Sequence, residues 1–392
     1  MLAAIAEVVA ARAAVAGLYT MVSGGDDFAR ACIGRYAPIT RLAPVRTSWL
    51  QHLPGAAGPL RRWMLPLFPS AIADLSRKLA AEHARDPIDL LISTSSAAIK
   101  GLHPPPGVPH LCYCHAPARY IWSQSDQYAR GRAGRLRSLG LNAFGPRLRT
   151  WDRRTAAHVT RFLANSTHIA REIRRCYDRE SHVVYPPVDT GFYIPDPSVP
   201  RGEHWLYAGA LEPYKRVDEL MSAAARNGSD LVIVGEGSQA AHLRSIAGPR
   251  VTFRGRISDE QLRHEYRSAG MVVFPQVEDF GIVAVEAQAC GTPVLARRAG
   301  GALDTVIEGV TGAFFDEPAK GHTVDPWRDA LARMPRCTQQ TAAACRGNAE
   351  RFSEARFRKA LCEHIGELLH KTGIAPAATA SAIDETSPAS KG

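Results

Sequence analysis

The stretch VEDFGIVAVEAQACGTPVLA, residues 277–296, sets Glu278 and Glu286 eight positions apart in an otherwise apolar segment. The run MVVFP before it reads as a buried strand, the loop QVEDFG follows, and a helical pattern from about Gly281 to Cys290 stops at Gly291. Glu278 therefore precedes a helix and Glu286 lies within it. Glu286 shares its face with Ile282, Val283, Ala289 and Cys290, and a carboxylate among apolar neighbours needs a partner. Two vicinal sugar hydroxyls would satisfy both its oxygens; so would an ion pair with Arg297 or Arg298 on the next strand. Glu278 reads as a ligand-facing acid, or as a solvated loop acid that favours the helix dipole. The N–H groups of Phe280, Gly281 and Ile282 open the helix and can receive a phosphate or sugar oxygen, with Gly281 allowing close backbone approach.

A second loop, YAGALEPYKRVD, brings Lys215 and Arg216 beyond a strand that closes at Gly209. Cations at the start of a helix oppose its dipole unless an anion sits between them, so this pair reads as a diphosphate site with Arg216 forking onto oxygens, or as plain surface charge. IVGEGS gives Gly235 and Gly237 a turn role, since a lone Gly-x-Gly says little about phosphate. CYCHAPARYIW puts His115 just past another strand end, followed by Arg119, Tyr120 and Trp122. A lone histidine is more often structural than catalytic, yet this one would face the same cleft from the opposite side.

These loops need strands to carry them. From about residue 204 the runs HWLYAG, DLVIVG, RVTFRG, MVVFP and TPVLA alternate with helical patterns, one of them opened by the capping box of Ser258 and Gln261. The pattern predicts a doubly wound parallel α/β domain, whose ligands bind beyond the carboxyl ends of the strands. The first half repeats the theme with IDLLIST, VPHLCYC and TRFLAN as strands and Ser166 capping THIAREIRRCY, before a proline-stiffened junction at residues 183–189. The N-terminal MLAAIAEVVAARAAVAGLYTMV reads as an amphipathic helix leading into a strand, because Glu7 and Arg12 interrupt it.

The 392 residues favour two domains, and the net charge of +10, mostly arginine, narrows the partner to something anionic. Eight scattered cysteines have neither zinc-knuckle nor redox spacing, which predicts a reduced cytoplasmic protein without a structural metal. The basic segment ARGRAGRLRSLGLNAFGPRLRTWDRR fits nucleic acid, an anionic membrane surface or a solvated helix face; no nucleic-acid motif accompanies it, which favours a membrane or a pyrophosphate-bearing acceptor.

At these residues the chain resembles the retaining glycosyltransferases of family 4, with the GT-B fold: two Rossmann-like domains facing a cleft. The resemblance rests on the Glu-x7-Glu pair, and CYCHAPARYIW, ANS, YPPVDT, PYKRVD and EDFGIVAVEAQACGTPVLARRAGGALDTVIEGVTG look most like mannosyltransferases of O-antigen and exopolysaccharide synthesis. It implies an N-terminal acceptor-side domain over 1–187, a nucleotide-sugar domain over 188–350 and a helix over 351–371 returning to the first domain, while the small, polar, proline-containing residues 372–392 read as a disordered tail. It further implies GDP-mannose as donor, a lipid-linked glycan as acceptor, the inner face of the cell membrane as location, and no metal or other cofactor. Carried onto this sequence, Glu286 would hold the ribose, Lys215 the diphosphate, and Glu278 with the backbone of Asp279 to Ile282 the sugar. His115 would contact the sugar from the first domain, and the backbone near Arg256 would meet the base. The chain departs from the family at Ala210, where an arginine is usual, and in lacking the first strand and glycine-rich loop. The departures predict either an upstream start codon or a shortened chain, and they keep open a catalytically weak or inactive GT-B scaffold that binds nucleotide.

Overall fold

The structure, a computed structural model, describes residues 1–24, 43–58, 64–95, 97–122, 134–317 and 325–371, with side chains in the helix Gly134–Ala156 described from residue 144. The tail expected over 372–392 and residues 129–133 of the basic segment lie outside them.

After the helix Leu2–Ala10, β1 (Leu18–Thr20) and β2 (Val45–Thr47) form a separate parallel pair. A four-stranded parallel sheet follows in sequential order, from β3 (Leu91–Ser95) through β4 (His110–Cys114) and β5 (Arg161–Ala164) to β6 (Ser181–Val183). β4 is buried along its whole length because both its faces are covered. Cys112 and Cys114 pack with the helix Thr167–Tyr177, whereas Leu111 and Tyr113 pack with Leu2–Ala10 and the terminal helix Glu354–Lys371. Phe357, Leu361 and Leu368 of that terminal helix sit in the core of the first domain. The chain thus crosses between domains twice. The crossings lie side by side, with Val188 N–H donating to Phe352 O at 2.9 Å.

The first domain also buries an ion pair that its sequence does not advertise. Lys100 and Asp152 are each 1% exposed; Nζ lies 2.7 Å from Oδ1, donates to the Asp152 carbonyl at 2.8 Å, and stands 4.4 Å from the centre of the Tyr177 ring. The Trp122 indole and the Tyr177 hydroxyl donate to Asp152 Oδ2 at 2.7 and 2.9 Å.

The second domain holds β7 (Trp205–Ala208), β8 (Leu231–Val234), β9 (Val251–Gly255), β10 (Met271–Phe274), β11 (Val294–Arg297) and β12 (Gly312–Phe315). Every neighbouring pair is parallel, in the order β12-β11-β10-β7-β8-β9. Side chains alternate across this sheet. Trp205, Tyr207, Val273 and Leu295 pack with the helix Val217–Asn227, while Leu206, Ala208, Val272, Phe274, Val294 and Ala296 pack with the helix Ile282–Ala289. The Ser258–Gln261 capping box and the Ser166 cap form as their sequences dictate. β2, β6 and β12 go beyond the strands the sequence predicts: β6 runs into the proline-stiffened junction at Val183, and β12 is a four-residue run behind the glycine-containing turn EGVTG.

Candidate functional site

In the second sheet the strand order reverses between β7 and β10, and the helices that follow these two strands lie on opposite faces. Their loops therefore part at the carboxyl edge and leave a crevice there. Lys215 ends the turn Pro213–Lys215 after β7, Glu278 lies in the loop after β10, and Lys215 Nζ donates to Glu278 Oε1 across the gap. Both are largely covered, the lysine 13% and the glutamate 21% exposed, and Nζ also stands 5.2 Å from the centre of the Tyr214 ring.

The backbone on either side of Glu278 is held from within its own domain. Gly301 N–H donates to the Glu278 carbonyl at 2.8 Å, and a methyl on Gly301 would overlap the backbone of Phe280. Gly281, with φ 91°, turns the chain into the helix Ile282–Ala289, and a side chain there would stand 2.8 Å from the Phe274 ring. Among the described residues, the N–H groups of Phe280, Gly281 and Ile282 meet no acceptor, so the helix start presents them to the crevice. Gly301→Ala is expected to cost about 1–3 kcal/mol in a urea titration, because the methyl displaces backbone and not a flexible side chain.

Glu286 lies one turn into that helix and is half-buried. Its partner is the Tyr266 hydroxyl, which donates to Oε2 at 2.9 Å, and not Arg297 or Arg298. Arg297 pairs with Glu219 and Glu317, and Arg298 with Glu308 and Asp316. Burial pushes the Glu286 carboxyl up to about 7, against the lowering effect of the tyrosine hydrogen bond. Tyr266, itself fully buried on the helix Asp259–Ser268, escaped the sequence reading; its one signal was an aromatic residue among the charges of DEQLRHEYRS.

Arg216 departs from expectation. Its φ of 56° turns the chain at the start of the next helix, and its guanidinium donates to Glu219 and Glu317 at 2.5 and 2.9 Å instead of standing free for an anion. Gly209 follows β7 and donates to the Val234 carbonyl at 3.0 Å, while Ala210 accepts from the Tyr207 hydroxyl at 2.9 Å. Gly235 and Gly237 press against the backbone of Gly209 and Leu211, which accounts for them without a phosphate. Arg256 is exposed just past the carboxyl end of β9.

The first domain meets this edge with the carboxyl ends of its own strands. His115 follows β4, its N–H donating to the Ser95 carbonyl at 2.8 Å and its Nε2 lying 2.8 Å from Thr94 Oγ1. Burial, aided by the positive charges of the chain's amino group and Arg119, holds its pKa down at about 4, so the ring is neutral at physiological pH. Arg119 donates to Asp279 Oδ2, Ser166 Oγ to the Asp279 carbonyl, and Thr167 to both oxygens of Asp304. These cross-cleft contacts lie 113 to 160 residues apart in the chain, and no local pattern announces them. Among the described residues, no helix is long and apolar enough to cross a membrane, and no group of three or more His, Cys, Asp or Glu could hold a metal ion.

Two family models match the chain: Glycosyltransferase Family 4 over residues 36–192 and Glycosyl transferases group 1 over residues 199–347. Among curated proteins, the D-inositol 3-phosphate glycosyltransferase of Mycolicibacterium smegmatis is 33% identical over 193 residues, 44% of this chain and 43% of the relative. Its counterpart in Mycobacterium tuberculosis is 30% identical over 267 residues, 58% and 55% of the two chains. The chain thus spans about half the length of these relatives. Among solved structures, the sucrose-phosphate synthase of Thermosynechococcus elongatus superposes with a TM-score of 0.63 at 20% identity, covering 91% of this chain and 89% of that one. The Anabaena protein HepE in complex with UDP superposes with a TM-score of 0.61 at 18% identity, covering 90% and 100%. Each of the two facing Rossmann-like domains thus matches a glycosyltransferase family model, Glycosyltransferase Family 4 over the first and Glycosyl transferases group 1 over the second, and together they have the GT-B fold.

Proposed function

We propose that the chain is a retaining glycosyltransferase that moves a hexose from a nucleoside-diphosphate donor to a hydroxyl of a lipid-linked glycan. The observation that carries the reading is the meeting of Lys215 and Glu278 at the strand-order reversal, with the open amides of Phe280 to Ile282 beside them and the Glu286 carboxylate one turn further along the helix. In this reading Glu286 accepts from the ribose hydroxyls, and the backbone near Arg256 meets the base. Lys215 and the helix start take the diphosphate. Glu278, Asp279 and neutral His115 take the sugar, with Gly209 leaving room beside it.

The bond from the anomeric carbon to the diphosphate oxygen breaks as negative charge gathers on the leaving group. Lys215 and the helix dipole stabilise that charge. The acceptor hydroxyl attacks the same face, its oxygen forms the new bond, and its proton passes to a phosphate oxygen of the leaving diphosphate. No metal or other cofactor enters these steps. Arg216, tied to Glu219 and Glu317, is left outside the phosphate site.

The motif resemblance supports GDP-mannose as donor and cell-surface polysaccharide synthesis at the cytoplasmic membrane face as setting. The names of the curated relatives point instead to a phosphorylated inositol acceptor, and a solved neighbour holds UDP. Both acceptors are anionic, which agrees with the excess of positive charge. The test incubates the chain with GDP-mannose, UDP-glucose or UDP-N-acetylglucosamine and membrane lipid extract or inositol phosphate, and follows product by mass spectrometry. Nucleotide release coupled to a hexose-bearing product supports the reading. Release no faster than in Glu278→Ala would favour the second reading, a scaffold that binds nucleotide without turnover, motivated by Ala210 and the engaged Arg216.

The raised carboxyl of Glu286 gives the donor site a pH dependence. Ribose hydroxyls donate to the ionised form, so nucleotide affinity should be full above the folded-state value of about 7 and decline below it. Between pH 8 and pH 6 the decline should be about tenfold, measured by calorimetry against Glu286→Gln, which reports the nucleotide's own titration. In the free protein the sign is reversed: the stability contribution is greatest below the ordinary carboxylate range and is lost as pH rises through about 7.

A further inference from the structure

Two adjacent carboxylates, Glu278 and Asp279, are each countered by a cation from a different domain. Lys215 of the second domain holds Glu278, and Arg119 of the first holds Asp279. The first domain takes a second hold on the same residue through Ser166 Oγ, which donates to the Asp279 carbonyl while accepting from Ile169 N–H as a helix cap. A third contact runs from Thr167 N–H and Oγ1 to the Asp304 carboxylate at 2.7 and 2.6 Å. Asp304 lies three residues past Gly301, whose N–H grips Glu278 and whose bare Cα lies against the backbone of Phe280. All three contacts therefore land on one wedged unit, the loop 278–281 and the turn 300–304.

We propose that Arg119 and Ser166 are positioning residues: they grip the Asp279 peptide from the first domain, so that Glu278 and the amides of Phe280 to Ile282 take their working geometry only when the two domains are together. The proposal rests on the reading of this crevice as the donor site. Asp279 lies between the sugar-side carboxylate and the open amides, so holding both its side chain and its carbonyl fixes the peptide planes on each side. Arg119 and Asp279 are 35% and 20% exposed, and a pair of that exposure adds little to folding. Its effect therefore falls on loop placement. A donor diphosphate draws Lys215 away from Glu278 and leaves that carboxylate to the sugar, while Arg119 keeps the loop in place.

The test compares the full chain with Arg119→Glu, Arg119→Lys and the charge-reversed double variant Arg119→Glu/Asp279→Arg. Hydrogen exchange of the segment 300–306, whose Gly301 N–H is held by the Glu278 carbonyl, should accelerate about tenfold in the free Arg119→Glu protein, stay near wild type in Arg119→Lys, and return toward wild type in the double variant. Exchange in β7 and β8 should not change, which separates a local effect from misfolding. With donor and acceptor, kcat should fall by about tenfold or more in Arg119→Glu, with donor KM within about threefold. Unchanged exchange over 300–306 in Arg119→Glu, or a double variant as fast as the single, overturns the proposal. The exchange readout needs no nucleotide, so a wild-type chain that bound none would sink the donor-site reading separately.

Discussion

Replacing Lys215 by alanine should lower kcat by about 10²-fold or more, with a smaller effect on nucleotide affinity. The ammonium is mostly covered, so its field is not diluted by water as that of a surface lysine would be. It sits at the crevice wall facing the helix start, where charge on a departing diphosphate would develop. A group that meets charge chiefly in the transition state acts on turnover more than on ground-state binding. The loss also leaves Glu278 without its cation, so the variant places an uncompensated carboxylate beside an anionic donor. Steady-state kinetics at varied donor concentration measure both effects. A fully active variant would remove Lys215 from the mechanism, and Lys215→Arg, which keeps the charge but changes its shape, should recover only part of the rate.

The second large effect arises at the buried ion pair of the first domain. Lys100→Met should destabilise the first domain by about 3–5 kcal/mol, because it leaves the Asp152 carboxylate buried without its cation. The Trp122 and Tyr177 hydrogen bonds remain but do not neutralise the charge. Asp152→Asn in the Lys100→Met background should recover much of the loss, since the amide can still accept from Trp122 and Tyr177 without carrying charge. A urea titration followed by circular dichroism gives both values. Equal stability of Lys100→Met and the wild type would show that the pair contributes nothing. The network ties the strand end before Lys100 to the helix Gly134–Ala156 and to Trp122, which is on the same short helix as Arg119. Its loss should therefore also loosen the first-domain side of the cleft.

The second domain was the more legible in sequence because its strands other than β9 are largely buried on both faces. Such strands leave unbroken apolar runs, and HWLYAG, DLVIVG and MVVFP all fall on observed strands. Caps were legible because they depend on neighbours three residues away, as with Ser258 and Gln261 or Ser166 and Ile169. The placing of Glu278 before a helix and Glu286 inside it was legible for the same reason: a strand end and a closing glycine bracket them. Pairings set by tertiary packing were not. Tyr266 meets Glu286 because one helix packs on the next, and Lys100 meets Asp152 across 52 residues. Arg216 is a further case: its place at a helix start favoured an anion, and its guanidinium pairs with Glu219 and Glu317, one of them 101 residues away. β12 escaped because four residues behind a glycine-containing turn carry too little periodicity to register.

If the carboxyl edge of the second sheet is a nucleotide-sugar site, its ribose contact is Glu286. Calorimetric titration of the purified chain with GDP and then UDP, beside Glu286→Ala, tests it most directly. The expected result is saturable binding of one nucleotide, GDP for a mannosyl donor and UDP for a donor like that of the solved neighbour, with affinity lost about tenfold or more in the variant. Binding of equal strength in wild type and Glu286→Ala, or no binding of either nucleotide, would contradict it.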